Sequence, residues 1–336
     1  MKYLKRYKFV WIALATLIFI RWFIVDNYFI SSGSMRGTLI EGDYVLVSKL
    51  SYGPRLPKVI KIPFIDYDGP ILRVINWHPF LSIHDSNIRL PFGKVNRNDI
   101  IAFDPPHMSP DRVSLYIPFI KRCVGIPGDS IKIVDGKLFV NQIQNSSNYK
   151  KDYLITLNDL NDANKITNRI QVVDKNRKLI KISAKEYEVE KLKNEDYILD
   201  LREELQSKDY VDFDVFPYSS EFPSNRDNVS EFRLPSKGMS VILNPASFSY
   251  YSEAINLYEG VTLARHKDGS FLINGATATH YTFTQNYYFA IGDNWDYSVD
   301  SRFWGMFPEK FIHGKVTMIW FSRNDKIEWS RIFTRL

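Results

Sequence analysis

The sequence predicts a mostly β protein carried behind one N-terminal transmembrane helix, and three observations carry that expectation. A single strongly apolar run, Phe9 to Ile20, stands near the N-terminus and resumes at Trp22-Phe23-Ile24-Val25 after Arg21. Two Asp-Gly pairs each separate short strand-like segments. Aromatic residues make up 15% of the 336 residues, with 23 Phe and 20 Tyr, which favours strands and surfaces that meet a lipid interface. With 45% hydrophobic and 24% charged residues, the chain is expected to be globular over most of its length. There is material for one large domain or two small ones.

The N-terminus reads Met1-Lys2-Tyr3-Leu4-Lys5-Arg6-Tyr7-Lys8 before the apolar run. A cleaved signal peptide has a similar basic end and apolar core. Bulky residues follow Arg21, however, where a cleavage site would present small ones, so an uncleaved anchor over residues 7–25 is the expectation. That length is near the lower limit for crossing a bilayer, with Arg21 snorkelling to the far interface. Lys2, Lys5, Arg6 and Lys8 would keep residues 1–6 cytoplasmic and place 26–336 outside.

Beyond the anchor, Gly42-Asp43-Tyr44-Val45-Leu46-Val47 reads as a strand after a turn signal. Residues 50–95 are Pro-rich and aromatic, and read as a loop with short strands. Ile100-Ile101-Ala102-Phe103 is a strand ended by Asp104-Pro105-Pro106, since consecutive prolines cannot continue a ladder. Ile131–Val134 and Lys137–Val140 flank Asp135-Gly136, and Leu263–Arg265 and Phe271–Ile273 flank Asp268-Gly269. Asp-Gly supplies the positive φ angles of a type I′ turn, so both are read as hairpins. Residues 142–209 are rich in Asn, Asp, Lys and Glu and read as a solvated insertion. Within them Ser183-Ala184-Lys185-Glu186 looks like a capping box opening a helix toward Leu205. A last strand runs from Lys315 to Phe321.

The net charge of +6 comes from scattered basic residues without a nucleic-acid-binding motif. An anionic membrane lipid surface is the partner expected, and nucleic acid is not. Cys123 is the sole cysteine, so no intrachain disulfide forms. As a neighbour of Lys121-Arg122 it could be a thiol nucleophile, but a buried strand residue is the reading preferred.

Three strings remain that these elements do not explain: Ser32-Gly33-Ser34-Met35-Arg36-Gly37-Thr38-Leu39, Lys121-Arg122-Cys123-Val124-Gly125-Ile126-Pro127-Gly128-Asp129, and Gly292-Asp293-Asn294-Trp295-Asp296-Tyr297-Ser298-Val299-Asp300-Ser301-Arg302. A serine hydroxyl attacks only when a neighbouring base takes its proton. The six histidines show neither a Gly-x-Ser-x-Gly elbow nor metal-type spacing, and His84-Asp85 is weak evidence for a triad. Lysine is the other base, provided that burial strips its proton. Taken alone, the Lys121 string leaves open whether Lys121 or Arg122 turns to solvent. Apolar residues on both sides, together with the other two strings, favour Lys121 inward.

Together the strings resemble the boxes of bacterial type I signal peptidases, which work through a serine–lysine dyad. Ser32-Gly33-Ser34-Met35 with Thr38-Leu39 resembles the nucleophile box, Arg97–Phe103 the next strand box, Lys121 to Asp129 the lysine box, and Gly292 to Arg302 with Trp304-Gly305 the last. The resemblance frames residues 28–308 and is slight over 50–95 and 142–260. It implies Ser34 as nucleophile and Lys121 as general base. It also implies Ser298 as the group orienting the Lys121 amine, and the Ser34 N–H with the Ser32 hydroxyl as oxyanion hole. Arg122 with Asp293, and Asp300 with Arg302, would be supporting ion pairs. Ile30, Met35 and Ile120 would line shallow substrate pockets, with Tyr28 nearby.

Three departures stand out. Gly37 replaces the family's usual proline, which predicts a looser turn, and Trp295 and Tyr297 replace arginine and asparagine, read as local repacking. The fold implied is a signal-peptidase-like β catalytic lobe over about 26–130 and 290–336, with a second β-rich lobe inserted over about 131–289. The activity implied is removal of signal peptides from exported precursor proteins after small residues (Ala-x-Ala), without metal or cofactor, by a monomer in the bacterial plasma membrane. Three other readings fit the sequence less well. The soluble self-cleaving repressors share the dyad but lack an anchor and carry a DNA-binding segment. An inactive membrane-anchored scaffold is disfavoured by intact Ser34, Lys121 and Ser298. Mitochondrial inner-membrane peptidases share the chemistry but tend to be shorter.

Overall fold

The computed structural model describes residues 7–54, 89, 92–106, 118–145, 149–168 and 170–336. Its chain groups into two compact units, one of residues 1–30, 42–119 and 310–336 and one of residues 31–41 and 120–309. Residues 31–41, 120–130 and 290–309, assigned from sequence to the catalytic lobe, group with the larger unit.

In the smaller unit a helix over Lys8–Phe19 passes into a wider-wound turn, Ile20–Ile24, and then a strand from Val25. Among the described residues no helix is long and apolar enough to cross a membrane. Lys2, Lys5 and Arg6 lie outside the described residues, as does most of 50–95. The Arg21 guanidinium sits 3.7 Å from Asp26, which also pairs with Lys49 at 3.2 Å. Four antiparallel strands follow in the spatial order Val25–Phe29, Asp43–Ser48, Ile312–Ser322 and Ile100–Phe103. Asp43, Val45 and Val47 point inward on alternate positions, the period of a half-buried strand. The neck of the first hairpin is closed by Ile30 N–H donating to Asp43 O at 2.8 Å and Gly42 N–H donating to Ile30 O at 3.0 Å.

The larger unit contains the strand Phe119–Gly125 from Ile120 onward, paired with Tyr287–Ile291, which is buried throughout. The first Asp-Gly hairpin forms as expected, with Ile131 opposite Val140 and both Asp135 (φ 50°) and Gly136 (φ 67°) left-handed. The second also pairs, Leu263 opposite Ile273, but its turn is not type I′. Only Gly269 has positive φ there, at 88°. The loop runs from His266 to Ser270 because Ser270 O accepts the His266 N–H at 2.8 Å and the Asp268 carboxylate accepts the Ser270 N–H at 2.8 Å.

The charged stretch departs most from expectation. It is a four-stranded antiparallel sheet in the order Ile198–Glu203, Lys150–Leu157, Leu179–Lys185 and Ile170–Asp174. Ile180, Ile182 and Ala184 alternate inward onto Tyr153, Ile155, Leu157, Ile166 and Val189, so the stretch has a core of its own. The helix expected from Ser183 toward Leu205 is confined to Glu186–Leu192. Ser183 is paired with Asp152 in the ladder, so winding starts only after Lys185, whose N–H donates to the Glu188 carboxylate at 2.7 Å. Polar residues at the strand surface conceal the period-two pattern from a composition reading.

Because Ile180 is fully buried in this small core, Ile180→Ala is expected to destabilise the larger unit by about 2–5 kcal/mol, the range for such truncations. Guanidinium unfolding of the variant and the unmodified chain checks it.

Candidate active site

Ser34 sits on a tight turn. Ser32 is extended and Gly33–Met35 form one 3₁₀ turn, closed by Arg36 N–H donating to Gly33 O at 3.0 Å. Met35 and Leu39, both buried, peg the turn to the core, and Leu39 N–H donates to Met35 O at 2.9 Å. Gly37 has φ +117°, a conformation closed to proline, whose ring holds φ near −65°.

Lys121 lies on the strand Phe119–Gly125 between buried Ile120 and half-buried Arg122. Only 4% of it is exposed, and its Nζ donates to Ser34 Oγ at 2.5 Å. Burial disfavours the ammonium and pushes its pKa down to about 8 from 10.5. Asp300 opposes that shift, Arg302 adds to it, and Asp293 opposes it. Cys123, two residues on, is fully buried, and its thiol donates to Gly125 O at 3.4 Å. None of the described histidines hydrogen-bonds Ser34; His313 instead meets Asp104 at 2.6 Å in the smaller unit.

The string 292–302 surrounds this pair. Asp293 accepts both forks of Arg122, at 2.7 and 2.6 Å, and the Thr38 hydroxyl at 2.5 Å. Asn294 N–H donates to Ser34 O at 3.0 Å, and its side-chain amide donates to Gly33 O at 2.8 Å. At Gly292 a Cβ would lie 2.5 Å from Ser34 O and 2.2 Å from Ser298 Oγ, so only glycine allows this approach. Asp300 and Arg302 are fully buried and joined at 2.9 Å through both oxygens. Burial alone would raise the Asp300 carboxyl, but the Arg302 charge and hydrogen bonds outweigh it and hold it below its ordinary value.

Of the residues singled out from sequence, Ser34, Lys121, Ser32, Met35, Ile120, Arg122, Asp293, Ser298, Asp300 and Arg302 all fall in the larger unit. Ser32 Oγ is 3.4 Å from Ser34 Oγ. Ser298 is buried here, but the expected hydrogen bond to the Lys121 amine does not form among the described residues. The amine is directed at Ser34, and the Ser298 hydroxyl lies over Gly292. Tyr28 and Ile30 belong to the smaller unit. Ile30 is buried there, and the Tyr28 phenol donates to Asp26 at 3.3 Å and lies 3.3 Å from His313 Nδ1. Burial and the Asp26 and Asp104 charges push that phenol well above its ordinary pKa.

Sequence reasoning missed Asn294, Gly292 and Thr38 as site residues. All three stand inside the quoted strings, but their partners are backbone carbonyls or a shared carboxylate, which residue identity does not disclose.

With this geometry in hand, comparison with known proteins is decisive. The sequence profile of the family described as signal peptidase, peptidase S26, matches residues 3–211 and 254–321. The chain belongs to this family. It is a serine peptidase, hence a hydrolase. Signal peptidase I of Buchnera aphidicola subsp. Baizongia pistaciae is 27% identical over 307 residues, covering 91% of this chain and 73% of that protein. Signal peptidase I of Buchnera aphidicola subsp. Schizaphis graminum is 27% identical over 315 residues, covering 92% and 72%. Signal peptidase I of Rickettsia massiliae is 29% identical over 135 residues, covering 40% and 41%.

Trp295 and Tyr297, the two residues expected from sequence to mark local repacking, have a visible setting. Trp295 is buried with its Nε1–H donating to Asp227 at 2.9 Å, the Tyr149 ring edge-on at 5.2 Å and the Arg302 guanidinium 4.2 Å from its ring centre. Tyr297 is exposed.

A buried lysine is a standing cost to the fold. Its folded pKa lies below its unfolded one, so the penalty is full below pH 8 and fades as pH rises toward 10.5. Lys121→Met is therefore expected to raise stability on the order of 1–3 kcal/mol at pH 6 and less at pH 9.5. Guanidinium midpoints at the two pH values check it; equal gains would refute the shifted pKa.

Proposed function

We propose that this chain is a membrane-bound serine endopeptidase that removes N-terminal signal peptides from exported precursor proteins, with Ser34 as nucleophile and Lys121 as general base. The observation that carries the reading is the buried Lys121 amine 2.5 Å from the Ser34 hydroxyl. When that amine is neutral the bond reverses and the hydroxyl donates. With a pKa of about 8, roughly a tenth of the lysines are neutral at pH 7, enough for a general base.

The steps follow from these atoms. Lys121 takes the Ser34 proton as Oγ attacks the scissile carbonyl, and the Ser34 N–H and Ser32 hydroxyl steady the developing oxyanion. The ammonium then protonates the leaving amine, which departs as the mature N-terminus. Lys121 next takes a proton from a water that attacks the ester on Ser34, and returns it to Ser34 Oγ as the ester bond breaks and frees the signal peptide. Ser298, close above Gly292, is available to orient the amine once substrate displaces the Ser34 bond. Within the larger unit, Met35 and Ile120 would line the pockets that restrict the substrate to small side chains. Residues 7–25 would anchor the chain in the bacterial plasma membrane, N-terminus inside, with 26–336 periplasmic and working as a monomer.

Ser34→Ala and Lys121→Ala are each expected to abolish cleavage of a precursor while leaving the fold intact, and the double variant should be little worse than either. The kcat/KM of the unmodified chain should rise about tenfold per pH unit up to about 8 and then level. Additive losses, or a flat profile from pH 5 to 9, would sink the dyad. For specificity, Ile120→Ala should admit a larger residue at one small position of the substrate; a panel of precursors varied one and three residues before the cut measures it.

A further inference from the structure

We propose that Lys185, supplied by the inserted four-stranded sheet, is a positioning residue that holds the turn carrying Ser34. The inference rests on the reading of Ser34 as nucleophile. Lys185 Nζ donates to Gly37 O at 2.8 Å, three residues past Ser34. The lysine backbone that delivers this amine is itself fixed twice. It closes the strand Leu179–Lys185 in register with Lys150, and its N–H is held by the Glu188 carboxylate at 2.7 Å.

The sheet is also fastened to the string opposite Ser34. Lys150 N–H donates to Asp293 O at 2.7 Å, and Asp152 N–H donates to the Asp296 carboxylate at 2.7 Å. Asp293 in turn accepts the Thr38 hydroxyl. The turn is therefore held at Thr38 from the 292–302 string and at Gly37 from the sheet, both attached to one framework. Glycine at 37 has the widest conformational freedom of any residue, and its φ of +117° excludes the ring that would otherwise stiffen the turn. A hydrogen bond to its carbonyl replaces that stiffness.

The Lys150–Lys185 pairing points the same way. Like charges facing each other across a strand pair weaken a sheet, so the pair has no stabilising account within the sheet itself. Gly37 gives an account from outside it. A Cβ built there would meet Lys185 Cε at 3.3 Å and Lys150 Cβ at 3.8 Å, so both strands' side chains pack onto the nucleophile turn.

The test compares Lys185→Met, which keeps the stem and removes the donor, with Lys185→Arg in the full chain. Two readouts are taken: kcat and KM on a precursor, and hydrogen exchange of the Thr38 and Leu39 amides, which bond to Met35 O. Lys185→Met should lower kcat roughly 3- to 10-fold with KM within about twofold, since a small displacement of the reacting oxygen is felt in the chemical step. Exchange at Thr38 and Leu39 should quicken while Ile155 and Ile180 keep their protection, and Lys185→Arg should restore most of kcat. Unchanged exchange at Thr38 and Leu39, a loss confined to KM, or protection lost across the whole sheet would each overturn the proposal. If the unmodified chain cleaves no precursor, the Ser34 reading fails instead, and the exchange result still decides whether Lys185 holds the turn.

Discussion

The contact between the dry Lys121 amine and the Ser34 hydroxyl is the interaction on which the rest of the candidate site depends. Burial alone is not enough, because a lone carboxylate nearby would restore the proton. Two carboxylates do lie close, Asp293 and Asp300, and each is engaged by its own arginine. Arg122 forks onto Asp293 and Arg302 onto Asp300. The pairs therefore temper the field at Lys121, and the outcome is a pKa of about 8. The arrangement also explains why Arg302 is fully buried despite its charge: its hydrogen bonds reach Asp300, Trp295 O and Ser298 O.

Trp295 joins this electrostatic shell to the inserted sheet. Its ring lies against the Arg302 guanidinium on one contact and the Tyr149 ring on another, and the Lys151 ammonium sits 5.3 Å from its centre. An aromatic face beside two cations suits their charge where a third cation would repel them. Trp295 and the sheet that begins at Lys150 are in this sense one feature.

Much of the frame was legible because its signals are local. Asp135-Gly136 fixes a turn through its own φ angles, Asp104-Pro105-Pro106 stops a strand, and Ser34 and Lys121 announce themselves by residue type within unusual strings. What stayed hidden depends on distant partners. The 150–203 sheet is polar on its outer face, so its content of Lys, Asp and Glu masks Ile155, Ile180 and Ile182 inside. Asn294 acts through carbonyls, which every residue has. Ser298 was expected to meet the Lys121 amine, but no sequence pattern fixes the rotamer of a hydroxyl, and here it faces Gly292. Gly37 was expected to loosen its turn; its left-handed φ and the carbonyl it offers to Lys185 became visible only in three dimensions.

The bond from the Asn294 amide to Gly33 O spans 261 residues of sequence. The residues that finish shaping the turn are thus made long after the serine it carries. A growing chain holds Ser34 and then Lys121, but not the string that fixes the turn and carries both neighbouring acids, Asp293 and Asp300. The native turn is consequently a non-local property of the fold, held in part by contacts that exist only once the 292–302 segment is in place. The long sequence separation thereby makes the shape of a three-residue turn a report on whether two remote parts of the larger unit have met.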